Sequence, residues 1–269
     1  MKLERVKPFP TEDGALLYYF DVGEGRPIVV LAGAQTSVQT YRYVVKKLKN
    51  KYRVIGLERR FEGETKARLE ELTMQKQGKD LDEFIQFMQL DHPILIGHSL
   101  GASVIMSYLD QFGDQDITGA IFVDQTPKML NDATWNEGFA GRSVASLTKH
   151  TKRLTTPVRR IPKLKVLWLL LNTMIIRQVS LFSVKEKLPL FEDYVKGDWR
   201  ESLQKMKKPA LFVGVEHSPH WPGEFAATCA GLVENGTSCM MKKVGHGAHL
   251  EDPNQFARIV EDWVNQLDK

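Results

Sequence analysis

The sequence predicts an α/β domain built on a mostly parallel sheet and interrupted once by a helical cap. Three observations carry that expectation. Short β-rich apolar runs alternate with longer helical patterns, as in βαβ units. The strand pattern stops near residue 126 and resumes near 209. Ahead of that break a G-x-S-x-G pentapeptide, Gly97-His98-Ser99-Leu100-Gly101, stands directly between a strand and a helix. A chain of 269 residues is long enough for one large domain with an insertion.

Taken in order, residues 15–21 read as a hairpin strand, 27–32 as a buried strand and 52–57 as the next, with a helix near 41–49 between the last two. A helix is expected over 72–88, because Leu81, Phe84, Ile85 and Met88 recur at three- and four-residue steps. The run Pro93-Ile94-Leu95-Ile96 is apolar on both faces, as a central parallel strand must be. A helix follows at 102–112 and a strand at 119–124. Residues 126–197 read as the inserted cap, leaving 1–125 and 198–269 as the core. Strands return at 209–213 and 238–244, and an amphipathic helix at 254–267 closes the chain.

Composition narrows the function classes. Apolar residues make up 42% and charged residues 26%, ordinary values for a globular protein. The first residues lack an apolar signal segment, and the most apolar stretch, 166–176, is shorter than the roughly 20 residues a bilayer requires, so an intracellular protein without stable membrane insertion is expected. Cys229 and Cys239 form neither a CxxC pair nor a cluster with histidines, which predicts no disulfide scaffold and no metal site. Residues 126–208 hold 17 Lys/Arg against 7 Asp/Glu, although the whole chain is only +4. Basic helix faces of this kind are usually solvated, and without interleaved aromatics or a recognition motif they predict no nucleic-acid partner.

The chemistry is predicted by the pentapeptide in its context. A nucleophile on a tight strand-to-helix turn takes strained backbone angles, and glycines two before and two after it relieve the contacts. Such a turn exposes the Ser99 hydroxyl and offers the Leu100 N–H to an oxyanion. With Gly33 after the strand at 27–32, the Glu58-Arg59-Arg60-Phe61-Glu62-Gly63 run and the Gly245-His246-Gly247-Ala248-His249-Leu250-Glu251-Asp252-Pro253 run, the chain resembles the α/β-hydrolase superfamily over nearly its whole length. The run Val123-Asp124-Gln125-Thr126-Pro127-Lys128 is similar to the bacterial esterase and non-haem haloperoxidase-like branch.

The resemblance implies a serine hydrolase that needs no cofactor. It places the general base at His246, with His249 the weaker alternative, and the two oxyanion donors at the N–H groups of Ala34 and Leu100. Ala32 departs from the pattern, since it stands where the family usually has histidine; Gln35, Thr36 and Ser37 are the residues available to support that loop instead. The acid is open between two positions. Many relatives carry aspartate after the seventh strand, where this chain has Ser218, so nearby Glu216 is one candidate. Asp124 is favoured, because a carboxylate following the apolar run 120–123 would stand at the carboxyl edge of the sheet with the other groups. In and beside the cap, Trp135, Trp168 and Trp221 suggest an apolar substrate site, with the cap's own core as the competing reading. The expected substrate is a small-molecule ester or thioester. Two rival readings are a cofactor-independent quinolone-type dioxygenase and a non-catalytic small-molecule receptor on the same fold.

Overall fold

The computed structural model describes residues 6–63, 65, 72–139, 188–221 and 224–267. Most of the expected cap, including Trp168, lies outside the described residues.

Eight strands form one sheet in the order β1-β2-β4-β3-β5-β6-β7-β8. They are β1 (Lys7–Pro10), β2 (Leu16–Val22), β3 (Pro27–Leu31), β4 (Arg53–Glu58), β5 (Ile94–His98), β6 (Gly119–Val123), β7 (Ala210–Val215) and β8 (Gly236–Met241). The first two are antiparallel to their neighbours; every pairing from β4 to β8 is parallel. β3, β5, β6 and β7 are the apolar runs, and their residues from Ile28 to Leu31, Ile94 to His98, Gly119 to Val123 and Ala210 to Val215 are all buried. That burial on both faces is what their unbroken apolar character anticipated.

Helices cover both faces. On one side α1 (Arg42–Leu48), preceded by a 3-10 turn (Val38–Tyr41), and the C-terminal helix α8 (Pro253–Leu267) pack against the sheet. Phe256, Ala257, Val260, Trp263 and Val264 form the buried stripe of α8, at the spacing of one helix face. On the other side lie α2 (Met74–Phe87) and α3 (Leu100–Phe112). The Thr73 hydroxyl caps α2 by accepting the Lys76 N–H at 3.1 Å, so the helix starts two residues later than its apolar period suggested. Four short helices complete the described chain: α4 (Leu188–Lys196), α5 (Arg200–Lys205), α6 (Phe225–Ala230) and α7 (Ala248–Glu251).

Three elements differ from the sequence expectation. β1 has no apolar alternation to announce it and contains two prolines, which an edge strand tolerates because one of its sides needs no ladder bonds. α3 begins at Leu100, directly after Ser99, two residues earlier than expected. β8 runs over Gly236–Met241 and ends before Lys243, whose φ of 61° turns the chain away while its N–H donates to the Glu216 carboxylate at 2.6 Å.

The two ends of the expected insertion meet. Lys128 bridges Asp198 in antiparallel fashion, and the Trp199 N–H donates to the Pro127 carbonyl at 3.0 Å. The chain therefore leaves the sheet after β6 and returns to the same place before α5.

Candidate active site

The parallel strands bring their C-terminal ends to one edge, and Ser99, Asp124 and the loop after β8 gather there. Ser99 has φ 53° and ψ −128°, a conformation costing about 1–3 kcal/mol that persists only where the surroundings impose it. Two neighbours do so. Its N–H donates to the Val123 carbonyl at 2.9 Å, continuing the β5–β6 ladder past the last strand residue, and its carbonyl accepts the Ala102 N–H at 2.8 Å as α3 begins. The flanking glycines are required by space. A Cβ on Gly97 would stand 2.5 Å from backbone atoms of Ala102, and one on Gly101 would stand 2.6 Å from the carbonyl oxygens of Leu31 and Ala32. Ser99 itself is half-buried, so its hydroxyl is reachable.

Asp124 is the residue after β6 and is fully buried. Its φ of 47° is held from both sides: its N–H donates to the Val213 carbonyl at 2.9 Å, and its carbonyl accepts Nε1–H of Trp221 at 2.7 Å. Oδ2 accepts Nδ1–H of His246 at 2.6 Å and the Ser218 hydroxyl at 3.0 Å. Ser218 Oγ also accepts the backbone N–H groups of His220 and Trp221, which fixes its hydroxyl as the donor to the carboxylate. Burial pushes the Asp124 carboxyl up from its ordinary value, and the Ser218 hydrogen bond and the nearby His220 pull it back. Burial pushes the His246 imidazole down. His246 is therefore a neutral ring at pH 7, anchored through Nδ1 with Nε2 left for a proton.

Other histidines surround this pair. His98 donates from Nε2 to the His246 carbonyl at 2.6 Å, and its ring lies 4.5 Å from that of His246. Burial, with His246 close by, holds His98 well below its usual range. His249 is buried against Tyr41, stacked at 4.3 Å, with Nε2 3.1 Å from the Thr40 hydroxyl. It makes no bond to Asp124, which separates it from His246 as sharply as the motif position did. His220 stands edge-on to His246 at 4.4 Å and stacks on Phe139 at 4.8 Å.

The loop after β3 carries Ala34. The carbonyl of Gly33 accepts the Thr36 hydroxyl at 2.9 Å and Nη2 of Arg59 at 2.8 Å, while Nε of Arg59 donates to the Ala32 carbonyl at 3.1 Å. Glu62 accepts the Gln35 N–H at 2.8 Å. Of the three residues expected to support the loop, Thr36 acts directly and Ser37 bonds the Glu58 carboxylate. The part played by Arg59 and Glu62 was not read from the sequence, where both stood only as members of the 58–63 run. Leu100, the other expected donor, is the first residue of α3, where an N–H has no intrahelical acceptor.

Several expected residues are not assembled here. Glu216 is exposed and is engaged with the Lys243 N–H, not with His246. Trp135 donates to the Lys128 carbonyl at 3.0 Å, with the Arg200 guanidinium 5.6 Å above its ring. It lines an outer cavity of about 970 Å³ together with Glu137, Asp198, Glu201 and Leu232, and none of Ser99, Asp124 or His246 borders that cavity. Trp221 does stand at the site, but buried with its N–H on Asp124 and its ring against Phe139 at 5.4 Å. Among the described residues no group of three or more His, Cys, Asp and Glu side chains could hold a metal ion.

A family model described as the alpha/beta hydrolase fold matches residues 26–147. The bromoperoxidase of Bacillus anthracis superposes with a TM-score of 0.82 at 19% identity, covering 97% of this chain and all of that one. The chain has the α/β-hydrolase fold. An esterase with the same fold, from Exiguobacterium antarcticum, superposes with a TM-score of 0.78 at 21% identity over 96% of this chain and 98% of its own. The AB hydrolase superfamily protein YisY of Bacillus subtilis is 21% identical over 95% of this chain and 97% of its own. The likeness thus spans nearly the whole length of the chain, and the fold is the one that its motifs suggested.

Proposed function

We propose that the protein is a serine hydrolase that cleaves a carboxylic ester or thioester through an acyl-enzyme, without a cofactor. The observation that carries this reading is the hydrogen bond from His246 to the buried Asp124, at 2.6 Å, at the sheet edge where the strained Ser99 turn presents its hydroxyl. A serine alcohol is a poor nucleophile until a base takes its proton. In this reading His246 Nε2 takes the Ser99 proton as Oγ attacks the carbonyl carbon. Asp124 holds the imidazole in the tautomer with Nδ1 protonated and stabilises the imidazolium that forms. The N–H groups of Ala34 and Leu100 receive the oxyanion. His246 then gives its proton to the departing alcohol or thiol, and water attacks the acyl-enzyme by the same path in reverse.

The esterase neighbour supports the ester class, and Phe139, His220 and Trp221 beside His246 supply an aromatic wall suited to an apolar acyl or alcohol group. Steady-state turnover of p-nitrophenyl esters of graded chain length tests the assignment. Ser99→Ala and Asp124→Asn are expected to lower kcat by about 10³-fold or more, with Glu216→Gln near the parent value. Full activity in folded Ser99→Ala would overturn the reading, and a large loss in Glu216→Gln with none in Asp124→Asn would overturn the choice of acid.

A further inference from the structure

We infer that Arg59 is a positioning residue that fixes the oxyanion-binding peptide through its carbonyl. The inference rests on the serine hydrolase reading above and concerns the Gly33–Ala34 peptide. A trans peptide is planar and its C=O and N–H point in opposite directions, so whatever holds the Gly33 oxygen also aims the Ala34 N–H. Arg59 Nη2 holds that oxygen at 2.8 Å, with the Thr36 hydroxyl at 2.9 Å, and Nε holds the preceding Ala32 oxygen at 3.1 Å. The guanidinium fork thus grips two successive carbonyls, and the Ala34 N–H faces away from it.

The grip is itself braced. Arg59 follows β4, whose parallel pairing with β3 sets Val30 beside Gly56 and so delivers the two strand ends together. Nη1 donates to Oε1 of Gln77 on α2 at 3.0 Å, and the Glu62 carboxylate stands 3.5 Å from Nη2, both side chains of the ion pair being about 3% exposed. The same Glu62 oxygen accepts the Gln35 N–H at 2.8 Å. Gln35 has φ 59°, a conformation that needs such a restraint. Arginine and glutamate together therefore hold the peptides on both sides of the Ala34 α-carbon, one through a carbonyl and one through an N–H. A cation on the Gly33 oxygen also polarises that peptide, which strengthens its N–H as a donor. Gly33 must be glycine at this point, since a Cβ there would sit 2.8 Å from His98 Nδ1 and 3.2 Å from Ser99 Cβ. Ala32, in the position usually held by histidine, leaves the loop to be fixed from this side.

The test compares Arg59→Lys, Thr36→Val and the double variant Arg59→Met/Glu62→Gln, which removes both buried charges together. Each is measured for kcat and KM on a p-nitrophenyl ester, for inhibition by a trifluoromethyl ketone that forms an oxyanion on Ser99, and for thermal unfolding. Active sites are titrated so that kcat refers to folded protein. The double variant is expected to lose about 10- to 100-fold in kcat with KM within about twofold, and to bind the ketone more weakly by the same factor. Arg59→Lys, which keeps the charge but not the fork, should fall between it and the parent, and Thr36→Val should lose a few-fold. Lower thermal stability with unchanged kcat and ketone affinity overturns the inference. Should the double variant not fold, parent-like kcat and ketone affinity in the two single variants do the same. A parent protein that neither turns over esters nor binds the ketone overturns the underlying hydrolase reading as well.

Discussion

At the residue scale the site depends on one carboxylate and what it accepts. Asp124 Oδ2 takes two hydrogen bonds, from His246 and from Ser218, and the second comes from the position where many relatives place the acid itself. In the proposed reading the acid is Asp124, after β6, and the Ser218 hydroxyl after β7 supports it. Because the Ser218 bond favours the charged carboxylate, its removal in Ser218→Ala raises the carboxyl further above its ordinary value. The Asp124–His246 pair then needs a higher pH to reach its active protonation state. The acid limb of kcat/KM against pH is expected to move to higher pH, with a loss of about fivefold at pH 6, the factor that ~1 kcal/mol of hydrogen bonding represents. A limb that stays in place, or moves to lower pH, would show that Ser218 does not tune this dyad. Ser99 and His246 each sit in a local sequence pattern, whereas the sequence left the acid open between Asp124 and Glu216 and only the fold sets Asp124 against His246. Arg59, Glu62 and Ser218 were not legible, because their partners are 26, 27 and 94 residues away and only the fold brings them together.

At the scale of elements, the strand-turn-helix unit of β5 and α3 determines where Ser99 stands. Its close approach to β3 leaves no room at Gly101, where a Cβ would meet two backbone oxygens that cannot swing aside. Gly101→Val is expected to destabilise the fold by about 2–3 kcal/mol through overpacking and to lower kcat by shifting Leu100, as measured by urea unfolding and ester turnover. Equal stability and turnover in the variant would contradict the packing described for this turn. The buried parallel strands were the most legible elements, since β3, β5, β6 and β7 are apolar on both faces. β1 and the limits of β8 were hidden for the opposite reason. An edge strand buries few residues and is bounded by its hydrogen-bonding partner and by turns, here the backbone of Lys243 at positive φ.

At the scale of the whole molecule, a buried charge cluster joins parts of the chain far apart in sequence. Arg60, fully buried, bonds Asp80 on α2 and Asp13 in the turn between β1 and β2, at 2.5 and 2.7 Å, and Lys76 reaches the same Asp13 at 2.9 Å. The cluster fastens the antiparallel edge of the sheet to α2. Arg60→Met leaves two carboxylates without their main partner, and a loss of about 3–5 kcal/mol in unfolding free energy is expected. A loss below about 1 kcal/mol would mean that the cluster does not bear on stability. Of the two arginines of the 58–63 run, Arg60 thus serves the scaffold, while Arg59 bonds the Ala32 and Gly33 carbonyls of the loop after β3. The layered α/β architecture was legible in the alternation of periods, and residues 127–128 and 198–199, at the two limits of the expected insertion, pair with each other.

The central claim is that Ser99 is an activated nucleophile, and labelling with a fluorophosphonate probe followed by peptide mass spectrometry tests it most directly. The account predicts one adduct, on Ser99, formed by the parent protein, lost in His246→Ala and slowed in Asp124→Asn. A folded parent protein that forms no adduct, or forms it on another residue, would contradict it.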